Sequence, residues 1–163
     1  MDTVVDIVIE DDRWVAFGLE PLAERVLVAA LADLGFSGVS CVLMACDDAR
    51  IAALNADFRG KPQPTNVLSW PSQERAAADE GALPAAPDLH EAELGDIAIA
   101  FDTCAAEARA AGKPMANHVS HLLVHGLLHL LGYDHIRDGD AALMEAVEVR
   151  ILAQLGLDDP YSD

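Results

Sequence analysis

Apolar and polar positions change period several times along this chain, and each change marks an element. Over residues 4–10 apolar and acidic side chains alternate at several positions, the period of a strand with one wet face. Pro21 suits a first helical turn, and Leu22, Val26, Ala29, Ala30 and Leu34 then follow helical spacing until Gly35. Residues 39–45 form a short β-rich run that reads as a buried strand. Asp47 or Asp48 is placed to cap the next helix, which carries Ile51 and Leu54 to Phe58. The turn signals of Arg59-Gly60-Lys61-Pro62-Gln63-Pro64 precede a strand over 65–70, and another strand covers 95–100. Asp102 or Thr103 is placed to cap a helix reaching about Ala111.

Residues 117–131 are apolar on nearly all sides, the mark of a central helix. Residues 138–155 form an amphipathic helix with Leu143, Met144, Val147, Ile151, Leu152 and Leu155 on one face. Between the strands at 65–70 and 95–100, residues 71–93 are rich in Ala, Pro and acidic residues and have little periodicity. A linker would need a second core beyond it, so this stretch is expected to be a mobile surface loop within one domain spanning 1–163. No internal repeat is visible. Intermixed strands and helices predict an α+β class: a small mixed β-sheet, several helices and a central histidine-bearing helix.

Composition narrows the class. At 163 residues and 52% hydrophobic, the chain has enough apolar mass for a real core. Its formal charge of −18 and pI near 4.4 repel nucleic acid and anionic membranes at long range. That weighs against a nonspecific phosphate binder but leaves room for a local basic pocket. Cys41, Cys46 and Cys104 form no CxxC pair and have apolar neighbours, so they read as reduced core residues. The acidic start Met1-Asp-Thr-Val-Val-Asp does not read as a signal peptide, and no uncharged apolar run approaches the roughly 20 residues that span a bilayer. The expected compartment is the cytoplasm, with no membrane partner.

The candidate chemistry lies in His125-Gly-Leu-Leu-His129-Leu-Leu-Gly132-Tyr-Asp-His135. Residues four apart share a helix face, so His125 and His129 can point at one centre. Gly132 lets the helix end in a left-handed turn, and the returning chain can deliver His135 to the same point. Three neutral imidazoles with a fourth position open are the ligand set of a catalytic zinc ion, one per chain. An isolated histidine on an apolar helix is more often a hydrogen-bonded core residue. Here five of the six histidines (His118, His121, His125, His129, His135) fall within eighteen residues, and a metal satisfies several at once. His121 suits a place behind the ligands or facing substrate; His118 reads as a surface residue. The spacing matches the zincin pattern H-E-x-x-H-x-x-G-x-x-H, except that Gly126 stands where such a protease has its general base. Glycine accepts no proton, so peptide hydrolysis by that route lacks its base.

The histidine motif resembles that of the YbeY family of metal-dependent endoribonucleases. The resemblance extends to Leu54-Asn-Ala-Asp-Phe-Arg59-Gly-Lys, Thr65-Asn-Val-Leu-Ser, Leu94-Gly-Asp-Ile97 and Leu155-Gly-Leu-Asp-Asp-Pro160-Tyr, in the family's order over about residues 50–161. Asn66 departs from it, since the family more often has Asp there. The resemblance implies an α+β fold, zinc on His125, His129 and His135, and Arg59 in the cleft facing an RNA phosphate. It further implies single-strand-specific cleavage in ribosomal RNA processing, at the 3′ end of 16S rRNA, and a part in ribosome quality control. The partners it implies are precursor rRNA and the small ribosomal subunit with its basic proteins, a ribosome-assembly GTPase being a further candidate.

The residues agree on Arg59, because phosphoryl transfer needs positive charge where oxygens gain negative charge. A planar fork of donors suits phosphate; Lys61 reads either as a second phosphate contact or as part of a solvated turn before Pro62. The proton acceptor stays open among Asp134, His121 and Asp96, with Asp134 better suited to orienting a ligand or capping the turn. The acidity of the chain is a difficulty for naked RNA, which binds mainly through Lys and Arg. Either Arg59 and Lys61 suffice, or basic ribosomal proteins deliver the RNA. Two rival readings use the same cage: a zinc peptidase or other hydrolase, and a non-catalytic ribosome-assembly factor whose zinc fastens helix to loop.

Overall fold

The computed structural model describes residues 3–86 and 93–161. In chain order the elements are β1 (Val4–Ile9), α1 (Arg13–Phe17), α2 (Leu19–Asp33), β2 (Ser40–Cys46), α3 (Asp48–Arg59), β3 (Val67–Pro71), β4 (Glu93–Ala100), α4 (Phe101–Ala111), α5 (Met115–Leu130) and α6 (Asp138–Gln154). The sheet order is β1-β2-β4-β3, with β1, β2 and β4 parallel and β3 antiparallel at the edge. This is a single α+β domain with one small mixed sheet, as the pattern predicts.

Strand periodicity explains the layers. Along β4, Ile97 and Ile99 enter the main core, while Ala98 and Ala100 enter a second cluster with Cys46, Ile51 and Leu68. Both faces of this central strand are thus covered, as parallel strands require. The main core joins the sheet to α2, α5 and α6. Nine residues of α5, from Val119 to Leu130, are buried, which makes it the central helix that its apolar sequence predicts.

Several local expectations change. The helix α1 is not visible in the apolar pattern; Gly18, at φ 87°, ends it and starts α2, so Pro21 lies in the first turn of α2 but not at its start. Between the two acidic candidates for the cap of α3, Asp47 holds the position, its side chain accepting from Arg50 N at 2.7 Å. Neither Asp102 nor Thr103 caps α4, because β4 runs into that helix with no intervening loop. Asp102 instead binds Arg13, and Thr103 donates to Asp48 from its amide at 3.0 Å and its hydroxyl at 2.8 Å. The three cysteines are free and buried, and burial raises their thiols to about 11 for Cys41 and about 12 for Cys46 and Cys104.

Within the loop expected over 71–93, residues 72–86 carry no helix or strand, and residues 87–92 lie outside the described residues. Arg75, 5% exposed, is a peg for this segment. Its guanidinium donates to Leu130 O at 2.8 Å and to Ser72 Oγ at 3.0 Å, tying the loop to the end of α5. Arg137 adds bonds to Ala77 O and Ala78 O.

Candidate metal centre

The end of α5 builds the site. Gly132, at φ 99°, turns the chain: its amide donates to His129 O at 3.1 Å, and the Tyr133 amide donates to Leu128 O at 3.0 Å. These two bonds are a Schellman cap, which satisfies the last helical carbonyls and reverses the backbone. A Cβ at position 132 would lie 2.6 Å from the backbone C and O of Arg75, so glycine is required by space as well as by φ. The reversed chain stacks the His135 ring on His125 at 5.4 Å and sets it 5.0 Å from His129. One ligand atom from each of the three imidazoles lies within 4.8 Å of the others.

Hydrogen bonds fix how two of these rings face. His125 Nδ1 lies 2.7 Å from Glu148 Oε1, and His129 Nδ1 lies 3.0 Å from Tyr133 O. Both acceptors call for an Nδ1–H, which leaves the two Nε2 lone pairs facing each other at 3.1 Å. Two lone pairs so close repel unless a cation lies between them and a third ligand, and His135 stands beside both. Burial, with His125 and His135 adding to it, lowers the His129 pKa to about 4, so this imidazole is neutral at pH 7. Three convergent imidazoles, two of them with partnered outer nitrogens, and an open side fit a zinc ion.

Glu148 is the residue that the sequence reading missed. It is fully buried on α6 and accepts from His125, from His121 Nε2 at 2.9 Å and from the Tyr161 hydroxyl. Burial pushes its carboxyl up, but the hydrogen bonds from His121, His125 and Tyr161 outweigh this and bring it down to about 2. His121, His125 and Glu148 also bring ligand atoms within 4.8 Å. There both carboxylate oxygens are already taken by donors, so Glu148 acts as the acceptor that orients His125. A signal was present: Glu148 follows Met144 by four residues and precedes Ile151 by three, within an otherwise apolar face.

The three histidines open on a cleft of about 800 Å³, walled on one side by Val67 and Ser69 of the edge strand β3. Arg59, the exposed last residue of α3, lines the same cleft, and its guanidinium makes no hydrogen bond or ion pair among the described residues. His121 lines it too, although its ring is held to Glu148. Lys61 is exposed but does not line this cleft, and neither does Asp96 on β4. Asp134 reaches the cleft with Oδ1 accepting the His135 amide at 2.7 Å, a turn-capping contact. His118, read as a surface residue, is largely covered and sits 3.0 Å from Glu107 Oε1. Asn66 donates to the same Glu107 oxygen at 2.9 Å.

Position 126 has a packing role. A Cβ there would meet Ile97 Cγ2 at 3.1 Å, Ser69 Oγ at 3.2 Å and Val67 Cγ2 at 3.3 Å. The Ser69 hydroxyl donates to the Gly126 carbonyl at 3.0 Å. Gly126 is where α5 rests on β3 and β4, and the missing side chain permits that approach.

Comparison with known proteins bears on this geometry. The profile of the family described as Endoribonuclease YbeY matches residues 7–156. A protein of that name from Ruegeria pomeroyi is 60% identical over 163 residues, covering 97% of this chain and 98% of its own. Another from Paracoccus denitrificans is 59% identical, covering 96% and 89%; one from Methylocella silvestris is 44% identical, covering 100% and 88%. A solution structure of a Thermotoga maritima protein superposes with a TM-score of 0.56 at 20% identity, covering 98% of this chain and all of that one, a likeness of fold.

Proposed function

This chain belongs to the Endoribonuclease YbeY family, and we propose that it cleaves single-stranded RNA in the cleft shared by His125, His129, His135 and Arg59. The observation that carries the reading is an arginine whose side chain has no partner among the described residues, lining one cleft with three convergent imidazoles. His125, His129 and His135 would hold one zinc ion. When bound, such an ion supplies positive charge and makes water a nucleophile near neutral pH.

The residues of the chain do the rest. Arg59 offers a planar fork of donors to the non-bridging oxygens of the scissile phosphate, where charge grows in the transition state. Glu148 and the Tyr133 carbonyl hold His125 and His129 with their Nε2 atoms inward. Glu74 and Asp134 line the cleft but accept from the backbone amides of Ala76 and His135. This reading therefore assigns neither of them as the base. Lys61 steers phosphate at longer range from the turn after α3, and His121 serves the substrate side by holding Glu148 in place.

The substrate in this reading is precursor ribosomal RNA in the cytoplasm, at the 3′ end of 16S rRNA, with a part in ribosome quality control. Its partner is the small ribosomal subunit, with a ribosome-assembly GTPase as a further candidate. The charge of −18 supports a docking surface of basic ribosomal proteins over one of bare RNA. One experiment tests the whole: zinc content and cleavage of defined RNAs for the wild type, His129→Ala and Arg59→Ala. His129→Ala should lose zinc and cleavage together. Arg59→Ala should stay folded and metallated while cleavage falls roughly 10²–10³-fold, the usual effect of losing one charge-stabilising donor. Undiminished zinc in the first variant, or unchanged turnover in the second, removes that residue from the mechanism. Hydrolysis of peptides with no cleavage of RNA overturns the substrate class.

A further inference from the structure

Among the described Phe, Tyr and Trp residues, two side chains are exposed: Phe58 at 52% and Tyr161 at 45%. Both line the histidine cleft, although they come from the end of α3 and from the C-terminal tail. The remaining described aromatics are buried or half-buried. Each exposed ring is braced. Phe58 packs edge-to-face on Trp70 at 5.5 Å, and Tyr161 packs edge-to-face on His121 at 5.6 Å with its hydroxyl on Glu148. Bracing lowers the entropy lost when a flat ligand lands on such a ring.

Charge points the same way. A cleft on a chain of net charge −18 gains little from phosphate neutralisation unless it holds several free cations. Among the described residues its arginines are Arg59 and Arg75, and Arg75 is buried with its guanidinium bound to Leu130 O and Ser72 Oγ. That leaves for phosphate Arg59, together with the ion that the three histidines would hold and Lys61 at longer range, a small set for a strand of many phosphates. A nucleic acid held here needs an uncharged source of affinity, and nucleobases have π faces that stack on aromatic rings whatever their sequence.

We propose that Phe58 and Tyr161 are stacking platforms for unpaired nucleobases flanking the phosphate at Arg59, so that the cleft selects single-stranded RNA by base faces more than by phosphate charge. This rests on the nuclease reading and deepens it. A base inside a duplex is already stacked on its neighbours and cannot reach either ring. The platforms therefore exclude duplex while tolerating any base.

The test is fluorescence anisotropy of zinc-loaded protein with a short labelled single-stranded RNA and with the same strand carrying abasic residues; cleavage is followed in parallel. Phe58→Ala and Tyr161→Ala should each weaken binding of the ordinary strand about tenfold. Neither should further weaken binding of the abasic strand. Phe58→Tyr, which keeps a ring, should retain wild-type affinity, and Tyr161→Phe, which keeps the ring but loses the hydroxyl's bond to Glu148, should bind the ordinary strand more tightly than Tyr161→Ala. Affinity for the ordinary strand should also fall only shallowly with salt, at a slope no steeper than that of three phosphate contacts, about −2. Unchanged affinity in both alanine variants, equal losses on the two strands, or a slope steeper than about −2 overturns the platforms. If the wild type still cuts RNA, that result leaves the nuclease reading standing; a wild type that neither binds nor cuts RNA overturns both.

Discussion

Glu148 accepts hydrogen bonds from His125, His121 and Tyr161 while showing no surface to solvent, so its removal leaves buried donors without a partner. Glu148→Gln keeps the shape but loses the anionic acceptor that sets the His125 tautomer. Zinc affinity, read by competition with a chelator, should fall about 10–100-fold. An unchanged affinity would show that Glu148 does not orient the ligand. The same residues set a pH dependence. His129 is depressed from its ordinary 6.5 to about 4, so between these values the unfolded chain binds more protons than the folded one. Metal-free protein should therefore lose stability as pH falls from 6.5 to 4, on the order of 1–3 kcal/mol. Glu148, lowered from 4.5 to about 2, adds a further loss below pH 4.5. Urea melts after chelation measure this, and a flat profile from pH 6.5 to 4 contradicts it. Glu148 escaped the sequence reading because its partner lies 23 residues away on another helix, whereas His125 and His129 are one turn apart.

At the scale of elements, the Schellman turn after α5 converts a sequence interval into a site. Gly132→Ala places a side chain at φ 99° and drives its Cβ into the Arg75 backbone. It should cost about 2 kcal/mol or more in stability, and it should weaken zinc binding because His135 arrives on this turn. A thermal melt with parallel zinc titration checks both; intact zinc affinity would detach the turn from the site. Helix ends were legible where one side chain decides them, as at Asp47, and illegible where neighbours compete. Asp102 is drawn off by Arg13 and Thr103 by Asp48, contacts that only packing creates. Gly126 was legible as an absence of base. Its reason, the closeness of α5 to β3 and β4, was not.

For the whole molecule, the net charge is −18 while one cleft holds an unpartnered arginine among its described residues, and these two facts call for different partners. Among the described residues no helix is long and apolar enough to cross a membrane. If basic ribosomal proteins are the docking surface, binding to small-subunit particles should weaken steeply between low and physiological salt. Sedimentation with ribosomal particles over a salt series measures it, and salt-independent binding rejects that partner. By itself the sequence determined the α+β class, the central helix and the grouping of His125, His129 and His135 as candidate ligands, because strand and helix periods and one-turn spacings are local properties of the chain. Arg59 was singled out by family resemblance and by the chemistry of phosphate. Tertiary structure alone decided that Arg59 shares a cleft with the histidines, that Lys61 and Asp96 do not line it, and that Glu148 stands behind His125. Those relations join α3, α5 and α6 across a common core, and no periodicity encodes the distance between residues that far apart in the chain.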